Sequence, residues 1–249
     1  MIVSATTGCF PELGPEEVLE CLVDLQFTAV ELELHEKGGW FRPSEVLDDL
    51  ERAIHTCGLT HRMDVSALSL QIEAEGEEYY RQFEACCKLA KAIKVVTLVV
   101  GASELGTPFN EEVERLKQLV AIAELQGSVV AVKTEIGSMT EDPDTAMVFC
   151  DHVKGLGLTL DPSCYLAGPY RDRSIDKLFP HVRHVHLRDS KKDEFQVRVG
   201  QGEVDYGKLV TQLEREKYRR ALSINMTPIE GFEHRPEMRK MRLLLESLL

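Results

Sequence analysis

The chain has 249 residues, 43% of them hydrophobic, and its 29 basic and 42 acidic side chains give a formal net charge of −13. This length and composition are typical of a globular protein with one large domain or two small ones. A strongly acidic protein repels a phosphate backbone, so we expect no nucleic acid partner. The longest apolar run, residues 95–100, is far too short to cross a bilayer, so we expect no membrane partner either.

The cysteines and the first residues bear on where the protein works. The seven cysteines are scattered and include no Cys-x-x-Cys pair, which is typical of reduced thiols rather than of a disulfide framework. Residues 1–9 lack the basic segment and apolar segment of a signal peptide. Both features predict a cytoplasmic protein.

Short β-rich apolar segments alternate with longer amphipathic segments along the whole chain. The predicted strands are Ile2–Thr6, Ala29–Leu34, Leu59–Val65, Val95–Val100, Val129–Ile136, Leu156–Asp161, Val182–Arg188 and Ala221–Met226. Between them, apolar residues recur three and four positions apart, as in helices. Eight such units average roughly 31 residues, close to the repeat of an eightfold barrel of about 250 residues. No linker divides the chain, so the sequence predicts an α/β fold with a single (β/α)8 TIM barrel domain over residues 1–249.

Each predicted strand has one apolar face and one small or polar face. In the second strand, for example, apolar residues at 30, 32 and 34 alternate with Glu31, Glu33 and His35. An open sheet covered by helices on both sides would be apolar on both faces. In a barrel, the polar face points inward and its polar groups meet at the carboxyl ends of the strands, where barrel enzymes have their active sites.

Four polar residues from four successive strands are expected to meet there. They are Glu135, Asp161, His186 and Asn225. Two carboxylates, an imidazole and an amide oxygen suit a divalent cation such as Mn²⁺, Mg²⁺ or Zn²⁺. The same face also carries Lys133, and Arg188 lies nearby; these cations would neutralise the two carboxylates without any metal. The alternation alone leaves both arrangements open.

The second half of the chain carries four motifs that resemble one family. Leu156–Cys164 is similar to a sixth-strand Asp-x-x-His signature, and Val182–Asp189 to a seventh-strand His-x-His-x-Lys-Asp pattern. Gly200–Asp205 resembles a Gly-x-Gly-x-x-Asp loop, and Val132–Ile136 contains a matching fifth-strand glutamate. Together they resemble the xylose isomerase-like barrel superfamily, which holds sugar isomerases, epimerases, related dehydratases and the endonuclease IV type of AP endonuclease.

The resemblance implies a metal-dependent reaction. It assigns one divalent metal (Mn, Mg, Co or Zn) to Glu135, Asp161, His186 and the position of Asn225. The metal would bind a hydroxy-carbonyl substrate as a Lewis acid while a glutamate moves a proton at the adjacent carbon. Glu135 is then both ligand and catalytic base. The expected function is that of an isomerase, epimerase or allied lyase acting on a small sugar-like compound.

Three residues depart from the family pattern. Asn225 stands where the family has a second glutamate and cannot act as a base, which leaves enolisation or dehydration through Glu135 alone. Cys164 replaces a histidine that contacts substrate or a second metal, and is expected to touch the substrate or to be a small buried residue. Lys133 shares the inward direction of Glu135, and we expect its ammonium group near the metal position, as a substitute cation.

The sequence leaves open the roles of the remaining pocket residues and two alternative functions. Glu33, His35, Lys133, Cys164 and Arg188 are expected to bind substrate, Arg188 through an anionic substituent; ordinary salt bridges inside the barrel explain the charged ones equally well. One alternative function is a barrel that binds a sugar-like ligand or a protein partner without turnover. A remote one is an AP endonuclease-type phosphodiesterase, which needs several metals and further histidines. A homo-oligomer is compatible with the sequence.

Overall fold

The barrel is closed in the computed structural model, which describes all residues from 1 to 249. Every strand pairs in parallel with the next one along the chain, and β8 pairs with β1. The strands are β1 (Ile2–Thr6), β2 (Ala29–His35), β3 (Asp64–Gln71), β4 (Thr97–Val100), β5 (Val129–Lys133), β6 (Gly157–Leu160), β7 (Val182–Leu187) and β8 (Ala221–Ile224). The predicted single (β/α)8 TIM barrel is confirmed.

Nine α-helices lie between and after the strands. They are α1 (Pro15–Asp24), α2 (Pro43–Asp48), α3 (Leu50–Gly58), α4 (Gly76–Ala92), α5 (Phe109–Gln126), α6 (Pro143–His152), α7 (Pro162–Ala167), α8 (Tyr206–Arg215) and α9 (His234–Glu246). The caps of α7 and α8 are aspartates whose side chains accept a backbone N–H of the first turn, from Ser163 to Asp161 and from Lys208 to Asp205. Asp161 therefore anchors a helix at the same time as it faces the barrel mouth.

The two faces of the strands are separated as the alternation predicts. Val30 and Leu32 are completely buried and belong to the same apolar core as Leu19 and Leu22 of α1. The polar residue between them, Glu31, is equally buried but lies inside the barrel, against histidines of β7. The apolar core thus fills the space between barrel and helices, and the barrel interior is polar.

The third strand lies further along the chain than the sequence predicts. Instead of Leu59–Val65, the strand is Asp64–Gln71. Residues 60–63 form a tight turn, in which the Thr60 hydroxyl donates to the Met63 carbonyl at 2.7 Å and His61 and Arg62 adopt left-handed backbone angles. A strand cannot pass through such a turn, and Leu59 is left exposed. Neither β3 nor β4 contains a histidine.

The strands of the second half end slightly earlier than predicted. Asp161, Arg188 and Asn225 each follow the last residue of a strand directly, and Glu135 follows β5 by two residues. These side chains therefore lie at the start of the loops on one end of the barrel. That end is the carboxyl end of the parallel strands, where the sequence places them.

Two further observations concern the whole chain. All seven cysteines are free and buried, so no disulfide contributes to the fold. None of the helices combines the length and the apolar character that crossing a membrane would take.

Candidate functional site

A polar cavity of about 390 Å³ opens at the carboxyl end of the barrel. This volume is within the usual range for sites that bind small molecules. Its wall includes seven of the side chains predicted from the sequence: Glu33, His35, Lys133, Glu135, Asp161, Arg188 and Asn225. Ser69 and Gln71 of β3 also line it, together with Phe195; the misplaced third strand hid the first two from sequence analysis.

Below the cavity, three buried side chains form a hydrogen-bonded network across the barrel interior, which we call the floor network: Glu31, His184 and His186. The Nε2 atom of His184 lies 2.7 Å from Glu31 Oε2, and Nε2 of His186 lies 2.9 and 3.1 Å from the two carboxylate oxygens. Each of the three residues is at most 1% exposed. The network therefore joins β2 to β7 through the centre of the barrel.

The protonation of the floor network follows from its bonds. Burial by itself would raise the pKa of Glu31, but His186 and His184 reverse this effect and hold that pKa well below its ordinary value. Burial also lowers the pKa of His186, which favours the neutral ring with its proton on Nε2, facing Glu31. The other ring nitrogen, Nδ1, is then free to accept, and the Asn225 amide nitrogen lies 3.1 Å from it.

By residue type and spacing, the floor network could hold a metal ion, because its ligand atoms all lie within 4.8 Å of one another. In this structure the same atoms are hydrogen bonded to each other. The alternation places Glu31 and His184 inside the barrel, but sequence analysis missed their role. The only sequence signal of the floor network is the spacing of two histidines on one face of β7. The sequence does not show that they contact β2, because that contact depends on the closed barrel.

One layer above Glu31, on the same face of β2, Glu33 lines the cavity. Its carboxylate lies so close to Gly8 that a methyl group at that position would overlap it, and its backbone N–H donates to the Thr7 hydroxyl at 3.0 Å. Burial raises the pKa of Glu33 to about 7, the negative charge of Glu31 adds to the shift, and Lys133 opposes it. Near neutral pH this carboxyl can both accept and release a proton.

His35 is the next cavity residue on β2. Its Nδ1 lies 3.7 Å from a Glu33 carboxylate oxygen, beyond hydrogen-bond distance. Burial lowers the pKa of His35 to about 4, and the positive charge of Lys133 lowers it further than burial alone would. The imidazole is therefore neutral at pH 7 and serves as a hydrogen-bonding group rather than as a cation.

On the β5 side, Lys133 and Glu135 form an ion pair. The ammonium nitrogen is 3.1 Å from Glu135 Oε1, with the lysine side chain 27% exposed and the glutamate 47%. The backbone carbonyl of Lys133 accepts a hydrogen bond from the Thr140 hydroxyl at 2.7 Å, which fixes the end of the strand. Both predicted residues reach the cavity, but they are bound to each other.

Asp161 and Arg188 form a second ion pair in the wall. The guanidinium Nε lies 3.0 Å from Asp161 Oδ2, and the guanidinium packs over the Phe195 ring. Both side chains are nearly buried, so the arginine is held rigidly rather than exposed to solvent. The backbone carbonyl of Arg188 is fixed as well, since it accepts the hydroxyls of Ser163 and Tyr206.

The Gly-x-Gly-x-x-Asp loop supports this end of β7. The backbone N–H groups of Gly200 and Gly202 both donate to Asp189 Oδ2, at 2.7 and 2.9 Å. A side chain at Gly202 would overlap the Asp189 carboxylate, so this close approach requires glycine. Asp205 at the end of the motif caps α8. In this chain the loop holds the strand that carries Arg188.

Two predicted site residues lie outside the cavity wall. His186 belongs to the floor network and reaches the cavity only through its contact with Asn225. Cys164 lies in the first turn of α7, is 1% exposed, and does not line the cavity. Burial raises the pKa of its thiol, and the charge of Asp161 adds to the shift, so the neutral thiol dominates at pH 7.

The four predicted metal ligands do not fit a divalent ion as they stand. Glu135 is bound to Lys133, Asp161 to Arg188, and the free ring nitrogen of His186 to Asn225. An ion bound to Glu135 would lie within about 5 Å of the Lys133 ammonium. At an effective dielectric constant near 20, that repulsion is roughly 7 kcal/mol for a dication. Asn225 adds no negative charge to offset it.

Solved structures similar to this chain share its fold at low sequence identity. The probable 3-DHS dehydratase AsbF of Bacillus anthracis has a TM-score of 0.75 and 14% identity, with 99% of each chain covered. The 3-keto-D-glucoside 4-epimerase YcjR of E. coli has a TM-score of 0.74 and 13% identity, again with 99% of each chain covered. A Mycobacterium smegmatis protein in complex with magnesium has a TM-score of 0.75 and 14% identity, over 100% of this chain and 98% of its own.

The family assignment comes from the sequence as a whole. No curated protein matches the chain by sequence. The sequence model of the xylose isomerase-like TIM barrel family, by contrast, matches residues 19–246, which is nearly the full length of the chain. This agrees with the closed barrel and with the polar site at its carboxyl end. The chain belongs to the xylose isomerase-like TIM barrel family.

Proposed function

We propose that the cavity binds a small, sugar-like hydroxy-carbonyl compound and catalyses proton transfer at the carbon next to its carbonyl group. The reaction is that of an isomerase, an epimerase or an allied dehydratase. The names of two similar proteins, a probable dehydratase and a keto-glucoside epimerase, support this class of chemistry. Their identity to this chain is too low to support a particular substrate.

The observation that carries the proposal is the state of Glu33. Its carboxyl lines the cavity, and its pKa is raised to about 7 by burial. A general base works best when its pKa lies near the pH at which it acts, because it is then both available and strong enough. The neighbouring His35 does not meet this condition, because its pKa is lowered to about 4.

Glu135 supplies a second carboxylate from another part of the wall. Glu33 is on β2 and Glu135 follows β5, so the two groups come from strands three apart in the eight-stranded barrel. A proton removed by one carboxyl on one side of a carbon can return from the other. This pair offers the two acid–base groups that epimerisation needs, although Asn225 provides none. Glu135 thus keeps the role of base that the sequence predicts, shared with Glu33.

Hydrogen-bond donors and acceptors around the wall suit hydroxyl groups. Gln71, Asn225 and Arg188 line the same cavity as the two carboxylates. The sequence predicts one divalent metal, Mn²⁺, Mg²⁺, Co²⁺ or Zn²⁺, and one similar protein is a magnesium complex. Because the four predicted ligands do not fit such an ion as they stand, the proposed reaction uses the side chains alone.

Hydrogen exchange in deuterium oxide tests the proposal. The protein is incubated with 2-ketohexoses, 2-ketopentoses, 3-ketoglucosides and dehydroshikimate, and deuterium entering next to the carbonyl is followed by NMR. We expect exchange with at least one class, slowed roughly 100-fold or more by Glu33→Gln. Glu73→Gln, which removes a surface carboxylate bound to Lys37, is the control and leaves exchange unchanged. Binding without exchange in every class would contradict the proposal and favour a barrel without turnover.

A further inference from the structure

We propose that the Lys133 ammonium group takes the place of a divalent metal in this cavity and binds the carbonyl oxygen of the substrate directly. The inference rests on the proposed function for the identity of the ligand. The part of the inference that concerns Lys133 as a substitute for the metal does not depend on the proposed function, because the charges and contacts of the cavity can be tested without any substrate.

The position of Lys133 is the first argument. Lys133 is the last residue of β5, and its side chain lines the cavity within 3.1 Å of Glu135. Its charge lowers the pKa values of both Glu33 and His35, which belong to β2. The ammonium group therefore lines the same cavity as Glu33 and Glu135, where a substrate bound by these two groups would meet it.

The occupation of the other polar groups is the second argument. Asp161 accepts from Arg188 and from the backbone N–H of Ser163, so both of its oxygens already have donors. His186 uses one ring nitrogen on Glu31 and has Asn225 against the other. The predicted ligands Asp161 and His186 are thus bonded to other groups of this chain, and Glu135 is bonded to Lys133. Lys133 is the cation that lies beside Glu135 in the cavity wall and can face a ligand.

The chemistry of an ammonium group suits the proposed reaction. When a proton leaves the carbon next to a carbonyl, negative charge develops on the carbonyl oxygen. A fixed N–H donor stabilises that charge best where water is excluded. Lys133 has three N–H donors, so it can bind Glu135, the carbonyl oxygen and a neighbouring hydroxyl together. Since each cation of the wall is already paired with a carboxylate, an uncharged sugar-like compound suits the cavity better than a phosphorylated one.

A Mn²⁺ titration followed by electron paramagnetic resonance tests the inference. Protein treated with a chelator and then freed of it is compared as wild type, Lys133→Gln, Asn225→Glu and the double variant. We expect weak, non-stoichiometric binding by wild type. The double variant, which loses the internal cation and gains a carboxylate, should bind one Mn²⁺ per chain roughly 100-fold more tightly or better. Lys37→Gln is the matched control, because it removes an exposed cation that does not line the cavity and leaves binding as in wild type.

Two results would overturn the inference. One is stoichiometric Mn²⁺ binding by wild type that Asp161→Asn abolishes. The other is a folded double variant that binds Mn²⁺ no better than wild type. Circular dichroism monitors folding, and Lys133→Met combined with Asn225→Asp gives the same comparison if the first double variant is unstable. Absence of deuterium exchange with the expected Mn²⁺ result would refute the proposed function alone.

Discussion

Glu31 and Glu33 are two residues apart on β2 and point to the same side of the strand, yet their surroundings are opposite. Glu31 is sealed in the floor network and binds two histidines of β7. Glu33 lies one layer higher, where the cavity opens. The pKa of Glu31 is well below the ordinary value of a glutamate, whereas that of Glu33 is raised to about 7.

The difference between these two pKa values comes from the hydrogen-bond donors around each carboxyl and not from how deeply it is buried. Burial acts on both carboxyls in the same direction, against the charged form. Glu31 receives ring N–H donors on both oxygens, so the charged form is favoured despite complete burial. Glu33 has only the Thr6 hydroxyl, whose hydrogen bond lowers its pKa less than burial raises it, and His35 lies 3.7 Å away. The lower layer, which is the floor network with Glu31, thus stabilises the barrel. The upper layer, which is the cavity wall with Glu33, can exchange protons with a ligand.

The largest expected effect comes from breaking the lower layer. Glu31→Ala leaves two buried imidazoles without their acceptor, and removing one partner of a buried charged network costs about 3–5 kcal/mol. Urea denaturation at pH 7 measures the free energy of unfolding. Glu33→Gln, the control in the upper layer, should not destabilise the protein at this pH. A loss below about 1 kcal/mol in Glu31→Ala would contradict the structural role of the floor network.

Breaking the ion pair between Asp161 and Arg188 should cause the second largest loss of stability. Asp161→Ala removes the cap of α7 and the partner of Arg188, and we expect a loss of about 2–3 kcal/mol. Asp205→Ala removes only the cap of α8, which costs about 1 kcal/mol. The difference between the two variants in urea denaturation measures the Arg188 contact. Equal losses would mean that the ion pair adds nothing to stability.

Glu33→Gln should give a gain in stability that depends on pH and is of similar size. Because the pKa of folded Glu33 is about 7 against an ordinary 4.5, the folded protein binds an extra proton between these values. The stability due to that proton is complete below pH 4.5 and is lost as the pH rises through 7. The variant should therefore match wild type at pH 4 and exceed it by about 3 kcal/mol at pH 8.5. A difference that does not vary with pH would be inconsistent with the raised pKa.

The smallest effect is expected where the two layers meet. Asn225→Ala removes one hydrogen bond to His186, whose ring stays fixed by Glu31. We expect a loss of about 1 kcal/mol in urea denaturation. Asn225→Asp is the matched variant, since it keeps the size of the side chain but removes the N–H donor. A much larger loss in Asn225→Ala would mean that Asn225 belongs to the floor network.

The fold could be predicted because each strand repeats the same alternation of apolar and polar residues. The exception is β3, where a turn at residues 60–63 is formed by His61 and Arg62 in left-handed conformations that their residue types do not signal. The inward side of Glu33, Lys133 and Arg188 could be predicted in the same way. The pairing of Lys133 and Arg188 with Glu135 and Asp161 is one of the two arrangements that the sequence leaves open, and it is the one in the structure. The bond between Glu31 and His184 could not be predicted, because it joins strands far apart in sequence. The pKa of Glu33 could not be predicted either, because it depends on burial in the folded protein.

The most direct measurement is a pH titration of the carboxyl carbons of Glu31 and Glu33 by ¹³C NMR, with Glu33→Gln used for assignment. We expect the Glu33 signal to titrate near pH 7 and the Glu31 signal to stay that of a carboxylate down to the pH at which the protein unfolds. A Glu33 carboxyl that titrates near the ordinary value of 4.5 would contradict the role of this residue as the acid–base group of the cavity.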